Sequence, residues 1–419
     1  MKRLLKVVFF SLTLIHFGFE SMSQKSNYPD FGFHFSKNKR TVTVPFQLMS
    51  NLIVVPITIN NSDTLKFIFD TGVSNTIITD PALAVKLNLK KTRKVKIAGA
   101  GEGNDQMAYV SPNNTFRMGE IIAKNQNLIV LENDFLEISQ ILGMKIHGIF
   151  GYDIFNYFVV NIDFASSNIF LQKPEKFKYK ASKGVLFPIE IQETKPYLND
   201  VSIEINNKTM LARLMIDTGA GHAISLELTK KDEVELPKNL VRSQLGKGLN
   251  GIINGSLGRT DKINLGKFEL KDVITSFPDS ESVAKKLSKE IIRNGNIGCD
   301  ILRRFSVTFN YRDKYMLLKP YNSRLKEPFE HNMSGIEFIA KGASFNEFYI
   351  DRVDENSPGY LAGFREGDQV ISINNSNYSD ETLSNIYKTL QKKEGRSISL
   401  VVKRGSEFIF NTFVLKKII

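Results

Sequence analysis

The tripeptide Asp-Thr-Gly occurs twice in this chain of 419 residues, each time at the end of an apolar run. The first copy begins at Asp70 and the second at Asp217, 147 residues later. A single copy is typical of an ordinary turn, because Asp and Gly both favour turns. Two copies that end buried strands can bring two carboxylates together. The sequence therefore predicts a site built on a pair of aspartates.

The offset of 147 residues extends well beyond the two tripeptides. Glycines and apolar segments recur at the same distance, namely Gly99 and Gly246, Gly101 and Gly248, Gly119 and Gly266, and the segments 148–153 and 295–300. Self-similarity at a fixed offset indicates an internal duplication. A duplicated unit with one aspartate in each copy can place both carboxylates at a common axis.

A pair of carboxylates has a specific chemistry. Hydrolysis of a peptide bond needs a base that takes a proton from water and an acid that protonates the carbonyl oxygen. Two carboxylates about 3 Å apart cannot both ionise, so they share one proton and supply both roles. Because such a pair titrates as a unit, neither Asp70 nor Asp217 is assigned to one role from the sequence. The chemistry requires no cofactor.

Composition restricts the class of protein. A length of 419 residues is typical of about three domains, and 42% hydrophobic residues can form substantial cores. The net charge of +12 comes from scattered lysines and arginines, which indicates solvated surface rather than a nucleic-acid partner. Cys299 is the single cysteine, so no intramolecular disulfide can form, and we expect its thiol to be buried and inert.

Residues 1–23 have the pattern of a signal peptide. Lys2 and Arg3 precede a short apolar stretch over 7–19, and small residues before Gln24 suit cleavage at that point. An uncleaved membrane anchor is the alternative. Later apolar stretches are shorter than the roughly 18 residues that a transmembrane helix needs. We therefore expect an exported protein with no integral membrane segment after signal removal.

The pattern of the following 300 residues is mainly that of strands. Short branched and aromatic runs, bounded by Asn, Ser and Gly, predict strands at 53–60, 64–70, 127–132, 159–171, 199–206, 211–217 and 306–318. The best helical patches are 80–87 and 280–292. Residues 172–184 and 319–334 are predicted linkers, and the second leads to a different module.

The two Asp-Thr-Gly motifs, each followed about eighty residues later by an apolar-Gly motif, resemble the aspartic proteases of the pepsin and retropepsin type. The resemblance covers roughly residues 40–320. It implies an all-β bilobal fold of two pseudo-symmetric, barrel-like lobes at 24–176 and 177–322. It also implies that Asp70 and Asp217 are catalytic, that Thr71 and Thr218 brace the two loops, and that Gly72 and Gly219 allow their tight turns.

Two glycine-rich segments are candidates for hairpins that close over a substrate. The first contains Gly99 and Gly101, and the second contains Gly246 and Gly248. By resemblance they are flaps, and two flaps are more similar to a retropepsin dimer than to pepsin. Residues 246–251 also spell G-x-G-x-x-G, but the strand and helix of a dinucleotide site are missing from the pattern around them.

Several other polar residues are expected to be structural. Asp153 and Asp300 each follow an apolar-Gly motif and precede a short apolar stretch, so we expect both to cap short helices. The five histidines are scattered without the spacing of metal ligands. We therefore predict no metal site.

The C-terminal segment 331–419 resembles a PDZ domain, a small α+β module. Its signature spans 357–371 and runs Ser-Pro-Gly-Tyr-Leu-Ala-Gly-Phe-Arg-Glu-Gly-Asp-Gln-Val-Ile. In that family a groove binds a peptide C-terminus as an added strand, with backbone amides receiving its carboxylate. The nearest match to the carboxylate loop is Gly335, Ile336, Glu337 and Phe338. The acidic Glu337 predicts a weak or internal ligand.

Together these observations predict an exported, monomeric aspartic endopeptidase that cleaves peptide or protein substrates, with a PDZ module that recruits substrate or regulates. The alternative is a catalytically silent peptide-binding scaffold of the same fold. In pepsin-like enzymes a Ser or Thr commonly follows each Asp-Thr-Gly and can hydrogen-bond the carboxylates. Here Val73 and Ala220 hold those positions, which predicts raised dyad pKa values and an optimum at about pH 5–7.

Overall fold

A computed structural model describes residues 32–229, 232, 234–283, 292–374, 376–377 and 382–419. The predicted signal peptide at 1–23 lies outside the described residues. So does most of the predicted helix at 280–292, of which Ser280–Val283 is described.

The first copy is mostly strand. Its strands are β1 (Gly32–Phe35), β2 (Thr41–Pro45), β3 (Gln47–Met49), β4 (Leu52–Ile59), β5 (Leu65–Phe69), β6 (Ile77–Ile78), β7 (Arg93–Ile97), β8 (Gln106–Met118), β9 (Ile121–Leu131), β10 (Gly148–Phe150), β11 (Val159–Asp163) and β12 (Asn168–Gln172). Branched and aromatic residues fill these strands, which suits a half-buried pleated surface. The predicted run 159–171 is two strands joined by a turn.

The second copy repeats this composition. Its strands are β13 (Val185–Pro188), β14 (Glu190–Gln192), β15 (Lys195–Ile205), β16 (Lys208–Ile216), β17 (Ile224–Leu226), β18 (Val241–Gly248), β19 (Gly251–Leu265), β20 (Phe268–Pro278), β21 (Gly295–Ile297), β22 (Phe305–Asn310) and β23 (Tyr315–Pro320). The β-rich fold predicted from the sequence is confirmed.

Each copy contributes most of one large sheet. The first sheet has the strand order β1-β9-β6-β10-β5-β4-β8-β7, with β3 paired to β4, and the second has the order β14-β15-β16-β21-β17-β20-β19-β18. A third sheet, ordered β13-β23-β22-β11-β12-β2, contains strands of both copies. Its central pair, β11 and β22, aligns Val160 with Phe309, so the third sheet joins the two copies.

The strands that carry the aspartates pair at matching registers. Strand β10 runs parallel to β5 with Gly148 opposite Phe67, and β21 runs parallel to β16 with Gly295 opposite Leu214. The residues that precede β10 and β21 also act alike. The His147 ring accepts a hydrogen bond from the Lys66 N–H, and the Asn294 side chain accepts one from Arg213 N–H. All of these equivalent positions differ by 147 residues.

The helices are short. They are α1 (Pro81–Lys86), α2 (Ile138–Leu142), α3 (Asp153–Tyr157), α4 (Ser280–Val283), α5 (Cys299–Leu302), α6 (Asn322–Leu325), α7 (Pro358–Leu361) and α8 (Leu383–Leu390), with 3₁₀ turns at Pro174–Lys176 and Ala181–Lys183. The Asp80 side chain caps α1, within the predicted patch 80–87. In the described part of the chain, no helix is long and apolar enough to cross a membrane.

The predicted capping roles of Asp153 and Asp300 are wrong. Asp153 is the first residue of α3, whose cap position is Tyr152 with no side-chain cap bond. Asp300 lies inside α5, whose cap position is Gly298, and its carboxylate forms an ion pair with Arg303 at 2.8 Å. Asp153 lies one position and Asp300 two positions too late along the chain to receive the free amides of their helices.

The predicted linker at 319–334 is packed against the second copy. The fully buried Arg304 donates to the carbonyl oxygens of Arg324 and Glu327, and its guanidinium stacks on the Phe329 ring at 3.6 Å. Phe329 belongs to the large core of the two copies, whereas Met333 belongs to the C-terminal core. The change of module therefore falls between these two residues.

The C-terminal module has its own sheet and core. Its strands are β24 (Ile336–Lys341), β25 (Glu347–Val353), β26 (Gln369–Ile373), β27 (Ser376–Asn377), β28 (Ser397–Arg404) and β29 (Glu407–Val414), in the order β24-β25-β26-β28-β29 with β27 paired to β26. Strand β24 is an edge strand. Helix α8 packs its Leu383, Ile386 and Leu390 into the core of the module.

Candidate active site

Both Asp-Thr-Gly loops begin where a buried central strand ends. Strand β5 ends at Phe69 and β16 ends at Ile216. The parallel neighbours then hold the next residue, because Asp70 N–H donates to Phe150 O and Asp217 N–H donates to Ile297 O, each at 2.9 Å. The apolar-Gly motif of each copy thus holds the start of its aspartate loop in place.

Reciprocal hydrogen bonds join the two loops. Thr71 N–H donates to Thr218 Oγ1 and Thr218 N–H donates to Thr71 Oγ1, both at 3.0 Å. The hydroxyls in turn donate to the opposite strand ends, Thr71 to Ile216 O at 2.6 Å and Thr218 to Phe69 O at 2.9 Å. Both threonines are buried. Four buried hydrogen bonds therefore fix the position of one loop relative to the other.

The carboxylates lie close together between the loops. Gly72 N–H donates to Asp70 Oδ1 at 2.5 Å, and Gly219 N–H donates to Asp217 Oδ1 at 3.0 Å. A Cβ atom at Gly219 would lie only 2.2 Å from Asp70 Cγ, so glycine is required for this approach. Burial, followed by the charge of Asp217, raises the pKa of Asp70 well above its usual range. The Asp217 carboxyl group is also a hydrogen-bond partner of Asp70, an arrangement in which two carboxyl groups can share a proton.

Asn296 is a site residue that the sequence pattern placed only within the recurring segment 295–300. Its Nδ2 donates to Asp217 Oδ2 at 2.9 Å, and its Oδ1 lies 2.9 Å from His222 Nε2. Burial lowers the pKa of His222. The signal available in the sequence was the substitution of Asn for the aliphatic Ile149 of the first copy.

The two glycine-rich hairpins meet each other above the aspartates. Asn250 lies between β18 and β19, and its side-chain Oδ1 accepts a hydrogen bond from Gly99 N–H at 2.7 Å. Its backbone N–H donates to Ala100 O at 2.9 Å, and its backbone carbonyl accepts from Gly103 N–H at 2.7 Å. Glu102 N–H donates to Ile252 O at 2.9 Å. The predicted flap glycines Gly99 and Gly101 lie in the turn between β7 and β8, and Gly246 and Gly248 lie in β18. The two hairpins, joined by these bonds, cover the aspartates.

A cavity of about 410 Å³ lies between the hairpins and the aspartates. Its walls differ in character. The first copy contributes apolar side chains apart from Asp70, among them Ile68, Val73, Leu136, Ile138, Ile141 and Ile149. The polar side chains other than Asp70 all belong to the second copy, among them His222, Ser225, Glu227, Lys247, Arg293 and Asn296. The cavity therefore has an apolar side and a side that carries most of its polar groups.

Of the four predicted PDZ groove residues, Gly335 immediately precedes β24 and the other three begin it. Ile336 and Phe338 are buried in the C-terminal core. Phe338 N–H donates to Tyr387 Oη at 2.9 Å, and the Tyr387 hydroxyl donates to Glu337 at 2.7 Å. Burial raises the pKa of Glu337. A peptide added along this edge would have to displace the Tyr387 hydroxyl from the Phe338 amide.

The C-terminal module also contacts the wall and the cover of the cavity. Helix α2, which lines the cavity, packs against β24, and Gly143 at its end lies beside Leu383 of α8. Arg352 in β25 donates to the Ser243 hydroxyl in β18 at 3.3 Å. An ion pair between Lys247 and Glu137 links the β18 hairpin to the start of α2. The PDZ groove at β24, the cavity wall at α2 and the β18 hairpin are therefore linked by one continuous set of contacts.

Comparison with known proteins identifies two domains. Residues 55–154 match the family model described as aspartyl protease, and residues 349–404 match the family model described as PDZ domain. Both resemblances seen in the sequence are thereby confirmed. The chain combines a protease-type domain with a PDZ domain, a module that binds peptides.

Curated relatives share a more limited similarity. Two proteins described as "Probable CtpA-like serine protease", from Staphylococcus aureus strains bovine RF122 / ET3-1 and MRSA252, are 27% and 26% identical over 168 and 167 residues. Each alignment covers 38% of this chain and 30% of the relative. The chain thus spans less than a third of the length of these relatives.

Proposed function

We propose that this protein is an aspartic endopeptidase in which Asp70 and Asp217 activate a water molecule. The observation that carries the proposal is the pair of adjacent carboxylates, Asp70 buried and Asp217 half-buried, held by reciprocal Thr71 and Thr218 hydrogen bonds. The ionised carboxylate takes a proton from water as the water oxygen bonds to the peptide carbonyl carbon, and the protonated one donates to the carbonyl oxygen. The proposed architecture is the bilobal one, with the dyad between the lobes.

The same residues favour aspartic over serine chemistry. A serine peptidase needs a base within hydrogen-bonding distance of a serine hydroxyl. The histidine that lines the cavity, His222, instead lies 2.9 Å from the Asn296 amide oxygen. The serine protease description belongs to relatives that align with 38% of this chain. We therefore base the proposed mechanism on the aspartate geometry.

The walls of the cavity support a proposed substrate class. An extended peptide beneath the hairpins would place one side chain against the apolar wall that includes Ile68 and Ile149. The next would face the polar wall, where Arg293 and Glu227 form an ion pair at 2.9 Å. Because that ion pair is neutral overall, we expect polar rather than strongly charged side chains there. The substrate is thus a peptide with a hydrophobic residue beside a polar one.

We also propose that the PDZ module regulates the peptidase. A C-terminal peptide that binds along β24 would compete with α2, which forms part of the cavity wall. Loss of the Arg352 contact to Ser243 should loosen the hairpin, so Arg352→Ala should raise turnover of short peptides about two- to fivefold, the effect of one modest hydrogen bond. Unchanged turnover would refute this restraint.

The pattern of residues 1–23 supports export of the protein.

A peptide library tests the proposed activity. Purified protein is incubated with mixed-sequence peptides, and the cleavage sites are identified by mass spectrometry, with Asp70→Asn as the control. Cleavage that disappears in the variant supports an aspartic endopeptidase. Binding of peptides without any cleavage between pH 3 and 8 would instead support the silent scaffold.

A further inference from the structure

The surroundings of the two aspartates differ at one equivalent position. Asn296 of the second copy corresponds to Ile149 of the first, because each directly follows the glycine of its apolar-Gly motif. Asn296 Nδ2 donates to Asp217 Oδ2 at 2.9 Å. Ile149 has an aliphatic side chain and packs in an apolar cluster with Ile68. One carboxylate therefore receives a donor from this position that the other does not.

His222 determines the orientation of the Asn296 amide. Its Nε2 lies 2.9 Å from Asn296 Oδ1, and when this nitrogen donates, the amide NH₂ must face Asp217. The backbone holds the histidine in place, because Asp300 N–H donates to His222 O at 3.2 Å. The Asn296 amide is thus fixed on the side of His222 and presents its donors to Asp217.

The residues after the two tripeptides make this donor important. Val73 and Ala220 carry no hydroxyl that could bond the carboxylates. A hydrogen bond to the charged form of a carboxylate stabilises that form. Asn296 therefore supplies to Asp217 alone the kind of bond that a hydroxyl at positions 73 and 220 would supply to both aspartates.

We propose that Asn296, oriented by His222, is a positioning residue that keeps the negative charge of the singly protonated pair on Asp217 and the shared proton on Asp70. The inference rests on the proposed peptidase function. Asp217 then takes the water proton as the C–O bond forms, and Asp70 gives its proton to the carbonyl oxygen. When the C–N bond breaks, Asp217 protonates the leaving nitrogen, and Asp70 regains a proton from a hydroxyl of the intermediate.

Burial of Asp70 agrees with this assignment, because it raises the pKa of that carboxyl. The other ionisable groups around the pair are His222 and Asp300 beyond Asn296, Glu227, Arg293 and Lys247 on the cavity wall, Lys195 near Asp70, and the buried Cys299 and Tyr311. The Gly72 N–H and, more weakly, Lys195 favour the charged form of Asp70. Burial and the adjacent carboxylate are stronger.

The test is the pH profile of kcat/KM for Asn296→Leu, with Asn310→Leu as the control, because the buried Asn310 donates to the Asp313 carboxylate at 2.8 Å outside the cavity lining. Removing the donor destabilises the singly charged pair relative to the fully protonated pair, so the acid limb should move up by about one pH unit, a tenfold loss on that limb. The alkaline limb reports loss of the Asp70 proton and should stay in place. The control should keep both limbs.

Three further variants test whether the effect of Asn296→Leu is merely structural. His222→Leu should move the acid limb in the same direction, and His222→Gln, which retains a donor, should restore it. Exchanging the two side chains, Asn296→Ile with Ile149→Asn, should also return the limb by supporting the charge on Asp70. An acid limb that stays in place in Asn296→Leu and in His222→Leu would overturn the proposal.

Carboxyl ¹³C NMR of aspartate-labelled protein separates this inference from the proposed function, because it needs no turnover. Wild-type spectra should show Asp217 losing its proton first and Asp70 last, with the order weakened in Asn296→Leu. The reverse order, or equal titration in wild type, would refute the assignment even in an active enzyme. Absence of peptidase activity with the expected order would instead refute only the proposed function.

Discussion

Thr71→Val removes the central bonds between the aspartate loops while keeping the shape of the side chain. The Thr71 hydroxyl donates to Ile216 O at 2.6 Å and accepts from Thr218 N–H at 3.0 Å. Valine leaves that carbonyl and that amide without partners in a buried environment. At about 1–3 kcal/mol for each unsatisfied buried group, the free energy of unfolding should fall by roughly 2–6 kcal/mol. Urea unfolding followed by fluorescence or circular dichroism measures this loss.

The same substitution should also displace the two carboxylates from each other. Misplacement of about 1 Å can cost roughly a hundredfold in rate, so kcat should fall by about that factor. Thr275→Val is the matched control, because Thr275 is equally buried and its hydroxyl bonds Val273 O and Thr260 within one sheet. It should lose stability and keep kcat. A Thr71→Val enzyme with wild-type kcat would refute the role of this bond in positioning the dyad.

Three further predictions concern pH and the hairpins. Ala220→Thr adds a hydroxyl beside the carboxylates and should move the acid limb of the pH profile down by about one unit; an unmoved limb contradicts this. Asn250→Ala should speed hydrogen exchange at Gly99 about five- to hundredfold, whereas Asn104→Ala at the exposed tip should not. Burial raises the pKa of Asp70 in the folded state above its usual 3.8. At a pH between 3.8 and the raised pKa, the folded state holds a proton that the unfolded state lacks, so stability falls as the pH rises through this range. Asp70→Asn should therefore stabilise the protein near pH 7 and have no effect below about pH 3.8; equal effects at both pH values would contradict this.

The sequence was most informative where local pattern and repetition agreed. The strand predicted at 53–60 is observed at Leu52–Ile59, and that at 64–70 at Leu65–Phe69. Apolar runs and turn residues determine such elements locally. The offset of 147 residues then related the two aspartate loops, because equivalent residues of a duplicated unit pair at the same register.

Long-range contacts could not be predicted in this way. Asn296 reaches Asp217 because β21 pairs with β16, and that pairing joins residues about eighty positions apart. The contact between the hairpins through Asn250 depends on how the two copies face each other. The segment 319–334 resembled a linker by its prolines, but the buried Arg304 binds its carbonyl oxygens. Each of these contacts depends on tertiary structure.

Cleavage of one peptide from the library by wild type, Asp70→Asn, Asp217→Asn and the double variant tests the central claim most directly. If the two carboxylates act as one proton-sharing unit, each single variant should lose nearly as much kcat as the double variant. All four proteins should remain folded by circular dichroism. Substantial turnover at saturating substrate by either folded single variant would contradict the account.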